Sequence, residues 1–213
     1  NQVIRKKNKI RLNNKNFTNL ITKVDYIILS PGININESKF KNVIEKNKLK
    51  IITDLDLFYI SNPRLKTIVV TGTNGKSTTC KIIEHLLKKN NISSKLGGNI
   101  GKPILSLSIN KKSFYIIEAS SFQLAYSKFI KPTFALILNI TKDHLDWHGN
   151  MKNYTNSKLK IFSLQDSTNF AFLKDKNIIN QFKKKKFLSK LKIIKPSLFI
   201  NIKSKIKNKY LQS

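Results

Sequence analysis

Residues 71–79 read Thr71-Gly72-Thr73-Asn74-Gly75-Lys76-Ser77-Thr78-Thr79. The apolar residues before this run predict a strand over 67–71, and the amphipathic residues after it predict a helix over 77–90. The glycines between them let backbone N–H groups curl around phosphate oxygens, and the N-terminus of the helix adds partial positive charge. The pattern therefore predicts a strand, a phosphate-binding loop and a helix, which is the arrangement that holds ATP or GTP.

Two side chains of this loop have the chemistry that a nucleotide site needs. Lys76 can reach the β- and γ-phosphates, and the Ser77 hydroxyl can ligate Mg²⁺. The general P-loop pattern has glycine where this chain has Val70, and a plain strand-to-helix turn is the alternative interpretation. The Gly-Lys-Ser-Thr start of the helix favours the phosphate site. We expect nucleotide contacts from Gly72, Thr73, Asn74, Gly75, Lys76, Ser77, Thr78 and Thr79.

The chain is strongly basic. It has 213 residues with 41 Lys and Arg, 11 Asp and Glu, and a net charge of +30. Nearly all of the basic residues are lysines, and the joint excess of Lys, Asn and Ile is what AT-rich codons would produce. Arg is preferred for bidentate contacts with bases and phosphates, so its scarcity argues against a nucleic-acid-binding protein. We expect no nucleic-acid partner, and we expect Lys183–Lys186 to form a solvated loop.

Hydropathy and cysteine content indicate the compartment. No apolar run approaches the ~20 residues that span a bilayer, so we expect no membrane contact. The single cysteine, Cys80, cannot form an internal disulfide, which suits a reducing cytoplasm. We expect a cytoplasmic monomer in which Cys80 is buried on the helix after the loop.

The spacing of apolar segments predicts an α/β fold. Short apolar strands alternate with helices, which is typical of a mostly parallel sheet covered on both faces. Ligands of such sheets gather at the carboxyl ends of the strands. Asn62-Pro63 interrupts the pattern and predicts a domain boundary between residues 61 and 66. The other predicted strands are 24–30, 49–53, 114–118 and 134–140, and the other predicted helices are 38–48, 54–59 (capped by Asp54) and 151–164.

A carboxylate ends the predicted strand 114–118. Glu118 lies downstream of the loop, where an acidic side chain can hold Mg²⁺ directly or through water. Ser120, Ser121 and Gln123 add hydrogen-bonding groups beside it. The alternative is a helix cap at a strand–helix junction with an exposed Glu118, and the residues alone leave both interpretations open.

A polar loop follows the predicted strand 134–140. Imidazole and carboxylate groups are good ligands for divalent ions, although a loop without any ligand is the alternative. The loop carries two of each: Asp143, His144, Asp146 and His148. Two further segments are weak signals by themselves, namely the glycine-rich residues 97–101 and the amphipathic helix 154–162.

Taken together, these segments resemble the Mur ligase family, which builds the cytoplasmic peptidoglycan precursor. The resemblance covers about residues 24–175, and Val70 and Ala119 are tolerable departures from the family's pattern. Ser-Ser-Phe-Gln-Leu at 120–124 and Ser-Pro-Gly-Ile at 30–33 look like the D-glutamate-adding branch. The matching segments are Thr-Gly-Thr-Asn-Gly-Lys-Ser-Thr at 71–78, Gly-Gly-Asn-Ile-Gly at 97–101, Glu-Ala-Ser-Ser-Phe-Gln-Leu at 118–124, Asp-His-Leu-Asp-Trp-His-Gly at 143–149 and Tyr-x-x-x-Lys at 154–158.

The resemblance implies an ATP-dependent ligase. ATP would phosphorylate the carboxylate of UDP-N-acetylmuramoyl-L-alanine, and the amine of D-glutamate would attack the acyl phosphate. Lys76 would neutralise the transferring phosphate. Ser77 and Glu118 would hold one Mg²⁺, and His144 would help to hold a second. Lys158 aligns with a lysine that reacts with CO₂ to give a carbamate, an anion that can bind Mg²⁺. The UDP-sugar path would be lined by Gly32, Asn99, Ser120, Gln123 and His144.

The resemblance also implies a domain organisation. Residues 1–65 would be part of a Rossmann-like, UDP-binding N-terminal domain, and residues 66–213 a central ATP-binding P-loop domain that is incomplete at its C-terminal end. No segment matches the family's C-terminal domain, which helps to bind ATP and presents D-glutamate, so we expect that this chain alone does not complete catalysis. Three alternatives stay open: a sister ligase that adds a different amino acid, a P-loop protein that binds nucleic acid, and a non-catalytic P-loop module that binds MgATP without turnover.

Overall fold

A computed structural model describes residues 19–195 of the chain, apart from residues 22, 31, 36, 37, 39 and 40. The turn residue Pro31, the second and third residues of the predicted helix 38–48, and both ends of the chain therefore lie outside the described residues. The described part forms an α/β structure built on two parallel sheets, one of two strands and one of six. The fold class that the sequence predicts is confirmed.

The larger sheet has six parallel strands. They are β3 (Lys66–Thr71), β4 (Ser94–Gly98), β5 (Phe114–Glu118), β6 (Phe134–Ile137), β7 (Phe170–Leu173) and β8 (Lys190–Ile193). Their order in the sheet is β4-β5-β3-β6-β7-β8, which places β3 in the interior between β5 and β6. Every residue of β3 after Lys66 is buried, as expected for a central strand covered on both faces.

Helices and 3-10 turns connect these strands. The helix after β3 buries Cys80 against Ile68, Val70 and Ile116 on one face of the sheet, so the predicted burial of Cys80 is confirmed. The other face carries the main core, to which the helices at 121–126, 151–159 and 176–184 contribute apolar side chains. The helices are α3 (Lys76–Lys89), α4 (Ser121–Tyr126), α5 (Leu145–His148), α6 (Met151–Leu159) and α7 (Lys176–Lys184), with 3-10 turns at Ile104–Ser106 and Lys160–Phe162.

The smaller sheet lies in the first part of the chain. Its two strands, β1 (Ile27–Ile28) and β2 (Ile51–Ile52), are parallel and much shorter than the sequence predicts. Between them lie α1 (Lys41–Lys46) and a 3-10 turn at Lys48–Lys50. Leu49, which the sequence places in the second strand, lies in that turn with its side chain 91% exposed.

The helix α2 (Asp54–Ser61) follows β2 and packs on the larger sheet. The prediction that Asp54 caps this helix is wrong: Thr53 is the N-cap, and its side chain accepts a hydrogen bond from the Asp56 N–H. Leu55, Phe58 and Tyr59 all belong to the main core, although they lie before the predicted boundary at residues 61–66. The division into residues 1–65 and 66–213 stays a prediction.

Two other elements end earlier than predicted. Strand β6 stops at Ile137 because Asn139 turns its side chain onto the loop after β3, and α6 gives way to a 3-10 turn after Leu159. The predicted loop at Lys183–Lys186 is partly wrong, since Lys183 and Lys184 form the end of α7, although all four lysines are exposed. No helix among the described residues is long and apolar enough to cross a bilayer.

Candidate active site

The loop after β3 has the backbone of a phosphate-binding loop. Gly75 is the N-cap of α3 with φ +83°, in the left-handed region that favours glycine. Gly72 has φ +154°, and a Cβ at this position would lie 3.1 Å from the Leu138 Cβ and 3.3 Å from the Asn139 carbonyl oxygen. Both glycines are therefore required by geometry, and the predicted strand, loop and helix are found within one residue of their predicted limits.

Asn139 braces this loop from the end of β6. Its side-chain oxygen accepts hydrogen bonds from the N–H groups of Thr73 (3.1 Å) and Asn74 (2.9 Å), and its side-chain nitrogen donates to the Asn74 carbonyl (3.1 Å). The Thr73 N–H also donates to the Asn139 backbone carbonyl at 3.0 Å. The sequence predicts no role for Asn139, because a contact across 66 residues leaves no local signal.

We expect Asn139→Ala to loosen the loop without unfolding the domain. The Asn74 N–H loses its side-chain acceptor, so its hydrogen exchange should accelerate by about tenfold, which corresponds to roughly 1.4 kcal/mol of lost hydrogen bonding. The Thr73 N–H keeps the backbone carbonyl of residue 139 as an acceptor, so its exchange should accelerate less. Asn90→Ala is the matched control, because the Asn90 side chain donates to the Leu86 carbonyl at the other end of α3, away from the loop. Unchanged exchange at Thr73 and Asn74 in Asn139→Ala would show that the brace is not needed.

Lys76 occupies the inside of the loop. Its Nζ donates hydrogen bonds to the carbonyls of Gly72 (3.0 Å) and Thr73 (2.8 Å). The ammonium group is thus held across the loop rather than extended into solvent. An anion that enters between the loop amides meets this charge together with the N-terminus of α3, which has fourteen residues.

Glu118 ends β5 beside the start of α3. The Ser77 hydroxyl donates to one carboxylate oxygen at 2.7 Å, and the Asn99 amide donates to the other at 3.1 Å. Glu118 is only 2% exposed, so the alternative of an exposed carboxylate is wrong. The structure brings three predicted residues, Ser77, Asn99 and Glu118, into direct contact at the carboxyl edge of the sheet.

The donor set at Glu118 fits Mg²⁺. A buried carboxylate is stable only when its charge is compensated. The two groups that donate hydrogen bonds to the Glu118 carboxylate are neutral, and no salt bridge to Glu118 is found among the described residues. Mg²⁺ prefers hard oxygen ligands and is usually bound by one or two carboxylates together with phosphate oxygens and water. No group of three or more His, Cys, Asp or Glu side chains that could hold a metal is present in the described part.

Lys158 reaches the same loop from α6. Its side chain is 1% exposed, its Nζ donates to the Gly72 carbonyl at 2.9 Å, and it lies 4.5 Å from the centre of the Tyr154 ring. Burial, and to a smaller extent the charge of nearby Lys76, lower the pKa of Lys158 to about 7. A large fraction of this amine is therefore neutral at neutral pH.

Tyr154 connects Lys158 to the loop. Its hydroxyl lies 3.0 Å from the Thr73 hydroxyl, and burial raises its pKa. The ring also meets the His148 ring edge-on at a centroid distance of 5.1 Å. The sequence places Tyr154 in an amphipathic helix and in the Tyr-x-x-x-Lys match, but it does not predict the contact between Tyr154 and the loop.

The polar loop after β6 carries the histidines. His144 has φ +51°, which is uncommon for a residue with a side chain, and its Nε2 lies 3.3 Å from an Asp143 carboxylate oxygen. The side chains of both residues are partly exposed, and the Phe122 ring lies 4.8 Å from the His144 ring. His144 is thus held in an uncommon backbone conformation with an accessible imidazole.

His148 is buried instead. Its Nε2 lies 3.0 Å from the Ser121 hydroxyl, and its ring stacks on Phe122 at 5.7 Å. Burial, and to a smaller extent the charge of Lys158, lower the pKa of His148 to about 4. The ring is therefore neutral at pH 7 and joins α4 to α5, whereas the sequence offered it as a candidate metal ligand.

The remaining predicted site residues lie farther out. Ser120 and Gln123 form a capping box at the start of α4, in which Gln123 Oε1 accepts from the Ser120 N–H at 3.1 Å and Ser120 Oγ accepts from the Gln123 N–H at 3.2 Å. The helix-cap alternative is therefore correct for Ser120 but not for Glu118. Gly32 lies in an exposed turn after β1.

The fold and the loop together define an α/β protein of the P-loop class. The sequence profile of the Mur ligase middle domain matches residues 70–210, and the chain therefore belongs to the Mur ligase family. Asn99, Glu118, Lys158 and the loop residues all lie inside the matched range.

Similar curated proteins agree with this assignment. The chain is 42% identical over 160 residues to UDP-N-acetylmuramoylalanine--D-glutamate ligase of Rickettsia bellii, covering 75% of this chain and 34% of that protein. It is 35% identical over 171 residues to the protein of the same name from Natranaerobius thermophilus, covering 75% of this chain and 36% of that protein. The chain spans about a third of the length of these relatives.

Solved structures share the fold at low sequence identity. UDP-N-acetylmuramate:L-alanyl-gamma-D-glutamyl-meso-diaminopimelate ligase from Neisseria meningitides superposes with a TM-score of 0.53 at 14% identity, over 82% of this chain and 60% of that one. MurF ligase from Thermotoga maritima, solved in complex with ADP, gives a TM-score of 0.50 at 17% identity, over 78% and 50%.

Proposed function

We propose that this chain forms the nucleotide-activating part of a ligase that uses ATP to join D-glutamate to UDP-N-acetylmuramoyl-L-alanine. The observation that carries the proposal is the convergence of the phosphate loop, the Ser77–Glu118 pair and Lys158 on one edge of the sheet. The names of similar curated proteins supply the substrates, and the sister ligase that adds another amino acid remains the alternative.

Each residue has a role in this proposal. The loop amides of residues 72–79 and the Lys76 ammonium bind and orient the phosphates, which is most of what phosphoryl transfer requires of a protein. Ser77 and Glu118 hold a Mg²⁺ ion, and His144 helps to hold a second. When bound, ATP supplies the phosphoryl group that activates the carboxylate, and Mg²⁺ neutralises its charge.

Lys158 is proposed to act as a carbamate. The neutral amine attacks the carbon of CO₂, the C–N bond forms, one C=O π bond opens to give a carboxylate, and the nitrogen gives one proton to water. A buried amine with a pKa of about 7 is suited to this step, because only the free base reacts. The product is an anion next to the Glu118 edge of the sheet, where it can help to bind Mg²⁺.

The outer residues are proposed to shape the path of the UDP-sugar. Gly32 belongs to the proposed UDP-binding domain of residues 1–65, and Asn99 and His144 belong to the proposed ATP-binding domain of residues 66–213. Ser120 and Gln123 contribute by fixing the start of α4. We further propose that the protein is a cytoplasmic monomer without nucleic-acid or membrane partners.

We expect this chain to bind MgATP, and Lys76→Met to weaken that binding by about tenfold to a hundredfold, because a charge-assisted hydrogen bond contributes roughly 1.5–3 kcal/mol. Isothermal titration calorimetry measures both affinities. Lys81→Met is the matched control, since Lys81 is exposed on the same helix. Equal binding by the wild type and Lys76→Met would overturn the nucleotide site.

Turnover is tested on the chain extended to the length of its relatives. Phosphate release from MgATP should require both UDP-N-acetylmuramoyl-L-alanine and D-glutamate. Release with a different amino acid would support the sister ligase, whereas MgATP binding without any release would support the non-catalytic module.

A further inference from the structure

The first turn of α2 contacts both ends of the short helix α4. We call the residues that make these contacts the α2 cap: Thr53, Asp54 and Asp56. They lie about 70 residues before α4 in the chain, and they precede the boundary that the sequence predicts between the two domains. Each of the three residues makes its contact through its side chain.

At the N-terminal end of α4, Asp54 holds Gln123. The Gln123 Nε2 donates to both Asp54 carboxylate oxygens, each at 3.1 Å, while its Oε1 accepts from the N–H and the hydroxyl of Ser120. The amide of Gln123 is therefore fully used, with its orientation set by Asp54 on one side and its helix cap on the other. The Leu55 N–H donates to Asp54 at 3.0 Å, which anchors the carboxylate on α2.

At the C-terminal end of α4, Thr53 and Asp56 complete the grip. The Thr53 and Ser127 hydroxyls lie 2.8 Å apart. One Asp56 carboxylate oxygen accepts from the N–H groups of Lys128 (2.8 Å) and Phe129 (2.7 Å), the residues that follow α4, and the other accepts from the Thr53 N–H at 2.9 Å. A helix of six residues has little stability of its own, so these contacts, together with the burial of Leu124 in the main core, hold it in place.

Helix α4 in turn contacts both sides of the candidate active site. Its N-cap, Ser120, lies two residues after Glu118. Ser121 pairs with His148, and the Phe122 ring lies 4.8 Å from His144 and 4.9 Å from Trp147. Any shift of α4 therefore reaches the carboxylate on one side and the histidine loop on the other.

We infer that the α2 cap is a positioning element: by holding α4 at both ends, it sets the positions of Glu118 and His144 at the proposed Mg²⁺ site. That Mg²⁺ is the ligand rests on the proposed function, whereas the inference that the α2 cap holds α4 in position does not. Asp54 is the positioning residue best suited to a test, because it is only half-buried and its loss leaves the core intact.

Trp147 is a reporter of α4 that needs no ligand. It is the single tryptophan of the chain, and its ring lies 4.9 Å from Phe122 and 5.5 Å from Tyr126, both on α4. In Asp54→Ala we expect its fluorescence emission to shift to the red and its quenching by acrylamide to increase. Asp175→Ala is the matched control, because Asp175 also accepts a backbone N–H in the first turn of a helix, from Ile178 of α7, but does not touch α4.

The second measurement is the Mg²⁺ dependence of ATP affinity. Mg²⁺ should strengthen ATP binding in the wild type, and we expect Asp54→Ala to reduce that gain by about tenfold while ATP affinity without Mg²⁺ stays the same. Asp175→Ala should keep the full gain. Asp54→Asn retains one acceptor oxygen for Gln123 and should restore most of it.

The outcomes separate the two proposals. If Asp54→Ala matches Asp175→Ala in both measurements, the α2 cap does not position α4. A shift of Trp147 without a change in the Mg²⁺ gain would show that α4 moves without affecting Glu118, which also overturns the inference. If the wild type binds no MgATP, the proposed function fails, and the Trp147 emission of the two variants still decides whether the cap holds α4.

Discussion

Replacing Lys158 by methionine is expected to raise the free energy of unfolding at pH 7 by a few kcal/mol, on the order of 3. The physical reason is that a buried amine is disfavoured when it is charged, and methionine fills similar volume without that cost. The same variant loses the group that can carry a carbamate, so the protein extended to the length of its relatives should lose its D-glutamate-dependent phosphate release. Denaturant unfolding and phosphate release measure the two effects.

The pH dependence of the free energy of unfolding tests whether protonation of Lys158 is the cause of this difference in stability. The pKa of Lys158 is about 7 in the folded protein and 10.5 for an unperturbed lysine, so between these values the unfolded chain binds more protons. The stability of the wild type should therefore rise with pH over this range. The advantage of Lys158→Met should shrink between pH 7 and pH 10, while Lys152→Met, an exposed position on α6, should show no such trend. A constant difference at every pH would contradict the account.

The second large effect is expected from Gly98→Ala, which should destabilise the fold by about 4 kcal/mol. Gly98 has φ +102°, and a Cβ there would lie 2.4 Å from the Glu118 carbonyl oxygen on the neighbouring strand. Neither backbone can move freely, because β4 and β5 pair in parallel at this point, Gly98 opposite Glu118. The added methyl group must push Glu118 away from Ser77.

Gly101→Ala separates backbone conformation from steric contact. Gly101 also has a positive φ, +69°, but the nearest atom to an added Cβ is 3.9 Å away. We expect it to cost only about 1 kcal/mol and to leave the Glu118–Ser77 contact in place. Thermal unfolding measures both variants. Equal losses for the two would mean that the approach to Glu118 is not what requires glycine at position 98.

The parts of the site that could be predicted from sequence are those that local rules determine. Gly75, Lys76 and Ser77 follow a strand and open a helix, and their spacing alone identifies the loop. The apolar run before Glu118 predicts that this residue ends a strand. Because the strands are parallel, the sheet brings Glu118 to the same edge as the loop.

The contacts that could not be predicted join distant segments. Asn139 to Thr73 spans 66 residues, and Gln123 to Asp54 spans 69, and neither leaves a periodic or local pattern. One signal was available: Thr53-x-x-Asp56 and Ser120-x-x-Gln123 both have the spacing of a capping box. That pattern would have located the starts of α2 and α4, but only the packing shows that the two helices hold each other.

A single carbonyl oxygen, that of Gly72, accepts from both Lys76 and Lys158. Burial is the main cause of the low pKa of Lys158, and the charge of Lys76 is the second. A phosphate that neutralises Lys76 removes this second cause, so proton uptake at Lys158 and anion binding at Lys76 favour each other. We therefore expect the proposed reaction of Lys158 with CO₂ to be fastest before a nucleotide binds.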